Sequence, residues 1–107
     1  MNPADKRRNS YLLRTYGITL EQYDDLLRKQ EESCAVCRRH HSVFKTRLAV
    51  DHNHFTGEIR GLLCNHCNHR LIGRHRDSEL LYRMAEYVGQ GTGWYVPVRP
   101  KKKRKKK

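Results

Sequence analysis

Cys34-Ala35-Val36-Cys37 and Cys64-Asn65-His66-Cys67 are two C-x-x-C turns, and between them runs Val50-Asp51-His52-Asn53-His54. A C-x-x-C turn presents two sulfurs on one side of a knuckle, and two such turns complete the tetrahedron of ligands that zinc prefers. Cys34, Cys37, Cys64 and Cys67 are therefore expected to hold a structural Zn²⁺, whose binding can supply on the order of 10 kcal/mol or more of folding free energy. Twenty-six residues separate Cys37 from Cys64, more than the roughly 15–20 of a simple zinc ribbon. The surplus implies that something is built between the knuckles. Disulfides are the alternative in an exported protein. A redox dithiol is another, although no thioredoxin-like βαβ pattern surrounds either pair. His40, His41 and His66 lie close by, but with four cysteines available they read as bystanders, His66 pointing outwards.

Composition explains why such a clamp is needed. The chain has 107 residues, 36% hydrophobic and 32% charged, so one domain is expected and apolar burial alone would support it weakly. No stretch reads as a signal peptide or membrane span, which favours an intracellular protein with reduced thiols and no membrane partner. The net charge is +12, and seven of the positives are Lys101–Lys107. Without them, 16 basic residues face 11 acidic ones, a balance of +5. Such a chain suits a polyanionic partner, most commonly nucleic acid.

Along the chain, residues 1–10 are polar and basic and read as a frayed start, followed by a short helix from Tyr11 to Tyr16 that stops at Gly17. Thr19 and Gln22 form a capping-box pair, and Leu20, Tyr23, Leu26 and Leu27 recur at helical spacing, which predicts a helix from Leu20 to about Gln30. Arg47–Val50 and Glu58–Leu63 read as short strands joined across a turn at Thr56-Gly57. A helix is expected from Asn65 to about Leu71, ended by Gly73. Asp77 or Ser78 can cap a last helix with an apolar face of Leu81, Met84, Ala85 and Val88. The residues from Gly89 to Pro100 read as an extended exit.

Asp51, His52, Asn53 and His54 admit a bland reading as a solvated polar turn. Their position argues for more. If the knuckles anchor a hairpin and the helix that follows it, Asp51 faces the first turn of that helix, and Asp51 and Asn68 can share one cation. An oxygen-donor pair that leaves room for water and phosphate suits Mg²⁺ or Mn²⁺, and a neighbouring histidine can take a proton from water near neutrality.

Cys34-Ala35-Val36-Cys37, Val50-Asp51-His52-Asn53-His54, Thr56-Gly57 and Arg60-Gly61-Leu62-Leu63-Cys64-Asn65-His66-Cys67-Asn68 together resemble the recombination endonuclease VII family, within the larger group of HNH, or His-Me finger, nucleases. The likeness runs from Tyr16-Gly17-Ile18-Thr19 to about Val88. It implies a small α+β fold with a ββα-metal core, a four-cysteine structural zinc site and flanking helices. It implies that Asp51 and Asn68 hold the catalytic cation and that His52 is the general base. His54 would contact the scissile phosphate or assist the leaving group, and the substrate would be DNA, branched DNA included. The resemblance also points towards a phage or prophage source.

Three segments follow from these readings. They are a basic segment with a short helix (1–18), a zinc-stabilised nuclease domain (19–88) and a Gly/Pro-rich exit with a polybasic tail lacking fixed structure (89–107). Arg60 is a candidate phosphate contact or a solvated strand arginine. Arg70, Arg74 and Arg76, with His75, are a candidate DNA-facing patch; His69 reads as a surface residue. Trp94 and Tyr95 are expected to pack on the core rather than stack on bases. Lys101, Lys102, Lys103 and Arg104 tether DNA by neutralising phosphates; only in a eukaryotic host would the run act as a nuclear-localisation signal. Little after Val88 resembles the extra helices of junction-resolving members, so simple nicking and junction cleavage, monomer and homodimer, are all compatible. The rival to an enzyme is a non-catalytic zinc-knuckle nucleic-acid-binding protein, which leaves the joint occurrence of Asp51, His52 and Asn68 without a reason.

Overall fold

Two helices lead into the first knuckle. The computed structural model describes residues 1–90, so the expectations for Trp94, Tyr95, Lys101, Lys102, Lys103 and Arg104 fall outside the described residues. Helix α1 spans Pro3–Tyr16 and corrects the frayed start expected over residues 1–10. Asn2 is its N-cap, accepting the Asp5 N–H at 2.8 Å. Pro3 sits in the first turn, where a missing N–H costs nothing. The helix stops at Gly17, whose φ of +77° is in the left-handed region and whose N–H donates to the carbonyls of Leu12 and Leu13. Helix α2, Leu20–Lys29, begins with the expected capping box: Thr19 and Gln22 each bond the other's backbone, at 3.0 and 2.8 Å.

Strands β1 (Ala49–His52) and β2 (Ile59–Leu63) form one antiparallel pair, each beginning later than the sequence implied and β1 also ending later. Ala49 faces Leu63, Val50 faces Leu62 and Asp51 faces Gly61, but His52 faces Ile59. Arg60 is therefore an extra residue on β2, a bulge of the kind that re-aims neighbouring side chains. The connecting turn is held by Asn53, whose Oδ1 accepts from the N–H groups of Phe55 and Thr56 at 2.8 and 3.2 Å. Gly57 takes φ +77° there and donates to the Asn53 carbonyl.

A two-stranded sheet is marginal alone, and both neighbouring elements brace it. Gln30, just past α2, treats β2 as a third strand would. Its Nε2 donates to the Leu62 carbonyl at 2.9 Å and its Oε1 accepts the Leu62 N–H at 2.8 Å. Tyr23 Oη donates to the Leu48 carbonyl at 2.6 Å just before β1. The core under these contacts is small: Leu12, Tyr23, Leu48, Val50, Leu62 and Leu63 together with Cys34, Cys64 and Cys67. Three of the four knuckle cysteines are thus part of the hydrophobic interior.

The helix expected from Asn65 is wound more widely than an α-helix. Cys67–Ile72 is a π-helical segment, closed where the Gly73 N–H bonds the Asn68 carbonyl five residues back at 2.8 Å. Gly73 ends it as anticipated, but for another reason. Its φ is −62°, an ordinary right-handed value. What requires glycine is space, because a Cβ there would lie 2.7 Å from the Asn68 carbonyl oxygen and 2.8 Å from that of His69.

Residues 1–76 form one unit and a second begins at Asp77. In the second, α3 spans Ser78–Gly89, so Gly89 belongs to the helix rather than to the exit. Asp77 caps it through Oδ1, accepting from Glu79 and Leu80. It is the one helix or strand among the described residues of that unit, and of the apolar face expected on it Met84 is 40% and Val88 83% exposed. Among the described residues no helix is long and apolar enough to cross a membrane.

Candidate functional site

The knuckles bring four thiols together. Sγ atoms of Cys34, Cys37, Cys64 and Cys67 all lie within 4.8 Å of one another, and Cys37 Sγ is 3.9 Å from Cys64 Sγ. Zinc–sulfur bonds of about 2.3 Å in a tetrahedron put neighbouring sulfurs roughly 3.8 Å apart, so the donor set is of zinc type. The first knuckle is shaped by its own backbone. The Cys34 N–H donates to the Arg39 carbonyl and the Arg38 N–H to the Cys34 carbonyl, both at 2.9 Å, with Arg38 at φ +64°.

The thiols are electrostatically unequal. Burial pushes Cys34 up, but N–H groups of Cys64, Cys37 and Val36 aimed at its sulfur outweigh that and bring it down to about 6. Burial and the thiols around it push Cys67 up to about 12. Crowded thiols resist giving up several protons without a cation among them, which couples metal binding to their ionisation.

His40, His41 and His66 stand outside this cluster. His66 is exposed within the second knuckle. His40 and His41 group instead with Glu32, His40 Nε2 lying 3.6 Å from Glu32 Oε2.

A second constellation lies where the hairpin meets the π-helical segment. One cavity of about 320 Å³ is lined by Asp51, His52 and His54, by Arg60 from β2, and by Asn68 and Arg76 from the segment and its exit. Each reaches it for a local reason. Asp51 and His52 end β1 after Val50 has entered the core, and the bulge at Arg60 falls opposite them. Asn68 follows Cys67 directly, so the second knuckle sets where it begins. Arg70 and Arg74, both exposed, do not line the cavity.

Asp51 is the buried charged residue of the described chain, 8% exposed. Arg60 neutralises it through two bonds, Nε to Oδ2 at 2.9 Å and Nη2 to Oδ1 at 3.1 Å, and also reaches the His52 carbonyl at 3.4 Å. A guanidinium matches a carboxylate in this two-point fashion. Arg60 was expected to be a phosphate contact or a solvated arginine; its bonded partner is a carboxylate.

His52 has two aromatic neighbours, its ring 5.8 Å from Tyr16 and 4.6 Å from His54, centroid to centroid, with the planes tilted in both pairs. His54 is exposed. The positive charge of Arg76, with smaller contributions from desolvation, His52 and Arg60, holds its imidazole below the usual histidine range.

Sequence reasoning did not single out five lining residues. For the site, Tyr16 and Val50 carried only their places in a helix and a strand, Gly73 only a helix end and Ile72 nothing; His69 was set aside as a surface residue. The Arg60–Asp51 pair was legible in principle, since a short hairpin places residues 51 and 60 nearly opposite.

A family model described as recombination endonuclease VII matches residues 9–90. The Gene 59 protein of Mycobacterium phage D29 is 45% identical over 78 residues, covering 72% of this chain and 47% of that protein. The Gene 59 protein of Mycobacterium phage L5 is 44% identical over the same length, with the same coverage. The chain thus spans about half the length of the curated relatives it matches. No solved structure matches.

Proposed function

Given that the chain belongs to the recombination endonuclease VII family, we propose that it is a metal-dependent DNA endonuclease of the HNH, or His-Me finger, type. The strands β1 and β2 with the π-helical segment then correspond to the ββα-metal core, and residues 19–88 to the nuclease domain. The observation that carries this reading is the convergence of Asp51, His52 and Asn68 on one cavity that also holds His54, Arg60 and Arg76.

The donor set fits the chemistry. Asp51 offers a carboxylate and Asn68 an amide oxygen, the hard ligands that Mg²⁺ and Mn²⁺ take while keeping other positions for water and phosphate. A cation held there stabilises negative charge developing on the phosphate and leaving oxygen. The protein's own residues do the rest. His52, in contact with the rings of Tyr16 and His54, takes the proton of the attacking water. His54 and Arg76 present positive or hydrogen-bonding groups to the phosphate. Duplex nicking and cleavage of branched DNA are both within reach of this machinery.

The four cysteines hold a structural Zn²⁺ that takes no part in the reaction. It fixes the hairpin and Asn68 relative to each other. Arg70 and Arg74, which do not line the cavity, and the basic residues Lys101, Lys102, Lys103 and Arg104 add phosphate contacts. The protein acts inside a cell, encoded by a phage or prophage.

Nicking of supercoiled plasmid by zinc-loaded protein tests the reading. Relaxation with Mg²⁺ or Mn²⁺ that EDTA stops is expected. Binding of DNA without relaxation, across metals and DNA forms, would instead identify a zinc-knuckle binding protein.

A further inference from the structure

Arg60 is bonded to the very carboxylate that the proposed reaction needs free. Each oxygen of Asp51 accepts one of its N–H groups, at 2.9 and 3.1 Å. A hard cation binds a carboxylate through at least one of those oxygens, so guanidinium and cation compete for the same atoms. We propose that Arg60 is the gate of the cation site: a divalent cation reaches Asp51 only as the Arg60 guanidinium leaves it, and the released guanidinium turns to a DNA phosphate in the same cavity. This rests on the endonuclease reading and adds its regulation.

Geometry favours such an exchange. The two side chains differ in burial, that of Asp51 being 10% exposed and that of Arg60 41%. The carboxylate is fixed in the interior and needs a positive partner, because an unpaired buried charge is costly. The arginine is the half that can move. It stands at the bulge, as the extra residue between the pairs Asp51–Gly61 and His52–Ile59. Its Nη2 touches the His52 carbonyl only at 3.4 Å, a weak hold once Asp51 lets go. The cavity ahead of it is lined by His54 and Arg76, a setting that draws phosphate in. Cation and DNA thereby favour one another. The cation frees Arg60 for a phosphate, and a phosphate draws Arg60 off Asp51. By linkage each must strengthen the other's binding by the same factor.

The test uses the zinc-loaded full chain and Mn²⁺ binding by calorimetry, without DNA. Arg60→Gln is expected to bind Mn²⁺ about tenfold or more tighter, because apparent affinity scales with the fraction of sites already open. Arg76→Gln removes an equal charge from the same cavity without touching Asp51, and its Mn²⁺ affinity is expected to stay within about threefold of the parent. In parallel, Mg²⁺ should move the NMR signal of the Arg60 Nε–H to the position it holds in Asp51→Asn without metal. Equal Mn²⁺ affinity in the parent and Arg60→Gln would overturn the gate alone. So would an equal gain in Arg76→Gln, which would assign the effect to net charge. An Arg60 signal unmoved at saturating Mg²⁺ has the same consequence. Absence of Mn²⁺ binding in every chain would remove the gate and the endonuclease reading together.

Discussion

Tyr16, at the end of the first helix, lays its ring against His52, with centroids 5.8 Å apart and planes inclined by 57°. The two residues are far apart in sequence, and the contact ties the lead-in helix to the cavity. It gives α1 a role beyond covering the core, since together with His54 it limits where the His52 imidazole can point. Tyr16→Phe keeps the ring and should leave DNA cleavage near the parent rate. Tyr16→Ala removes one wall and should slow cleavage by about tenfold or more, because small misplacements of a reacting group are costly. Single-turnover nicking of both variants, beside their melting temperatures, separates misplacement from unfolding.

Zinc should act on activity only through the fold. Three of its four expected ligands are buried among the core residues, and structural zinc in small domains contributes on the order of 10 kcal/mol. Stripping the metal with a strong chelator should abolish the cooperative melting transition and nicking together. Adding Mg²⁺ afterwards should restore neither, whereas adding Zn²⁺ and then Mg²⁺ should restore both. Circular dichroism during the chelation follows the fold directly.

Gly73→Ala probes the π-helical segment. The added Cβ would approach the Asn68 carbonyl oxygen to 2.7 Å, the atom that accepts the Gly73 N–H at 2.8 Å. The backbone carrying Asn68 must shift, at a cost of about 1–3 kcal/mol typical of overpacking. Melting temperature should fall, and Mn²⁺ affinity with it. Gly57→Ala, by contrast, meets no atom within 4 Å but sits at φ +77°, so it should cost stability and leave Mn²⁺ affinity alone.

His54 should titrate below an ordinary histidine, since Arg76 heads the causes that lower it. The sign follows: the unfolded chain binds that proton more readily, so as pH falls through the unfolded histidine's range this residue opposes the native state. The stability effect should be slight for so exposed a group. The ring itself reports more sharply. NMR titration should place its midpoint below 6.5, the ordinary value, and Arg76→Gln should move it up.

How much of this was legible in the sequence follows the range of the interactions. The capping box at Thr19 and Gln22, the turn at Gly57, the stop at Gly17 and the two knuckles are local, and residue types at fixed spacing announced them. The start of α1 was equally local, in Asn2-Pro3, but the basic composition of residues 1–10 masked that signal. The cavity was half legible. Asp51, Asn68 and a neighbouring histidine could be named because the hairpin and second knuckle are close in sequence; His54 came from the family resemblance, and Arg60 and Arg76 from being basic residues beside those elements. Tyr16 could not, since its approach to His52 depends on how α1 packs through Leu12 into a core assembled from the whole unit. The bulge at Arg60 escaped as well, because register is a property of two strands and leaves no mark on either alone. The π-helical winding needed Gly73 to be read for space rather than for backbone conformation.

The most direct measurement is nicking of supercoiled plasmid by zinc-loaded protein in Mn²⁺, comparing the parent with His52→Ala. Loss of a general base typically costs ~100-fold or more, so the variant should leave the plasmid supercoiled over times in which the parent relaxes it. Its zinc content, melting temperature and DNA affinity should stay close to the parent's. A His52→Ala protein that relaxes plasmid at the parent rate would contradict His52 as the base, and with it the reading of the cavity as a nuclease active site.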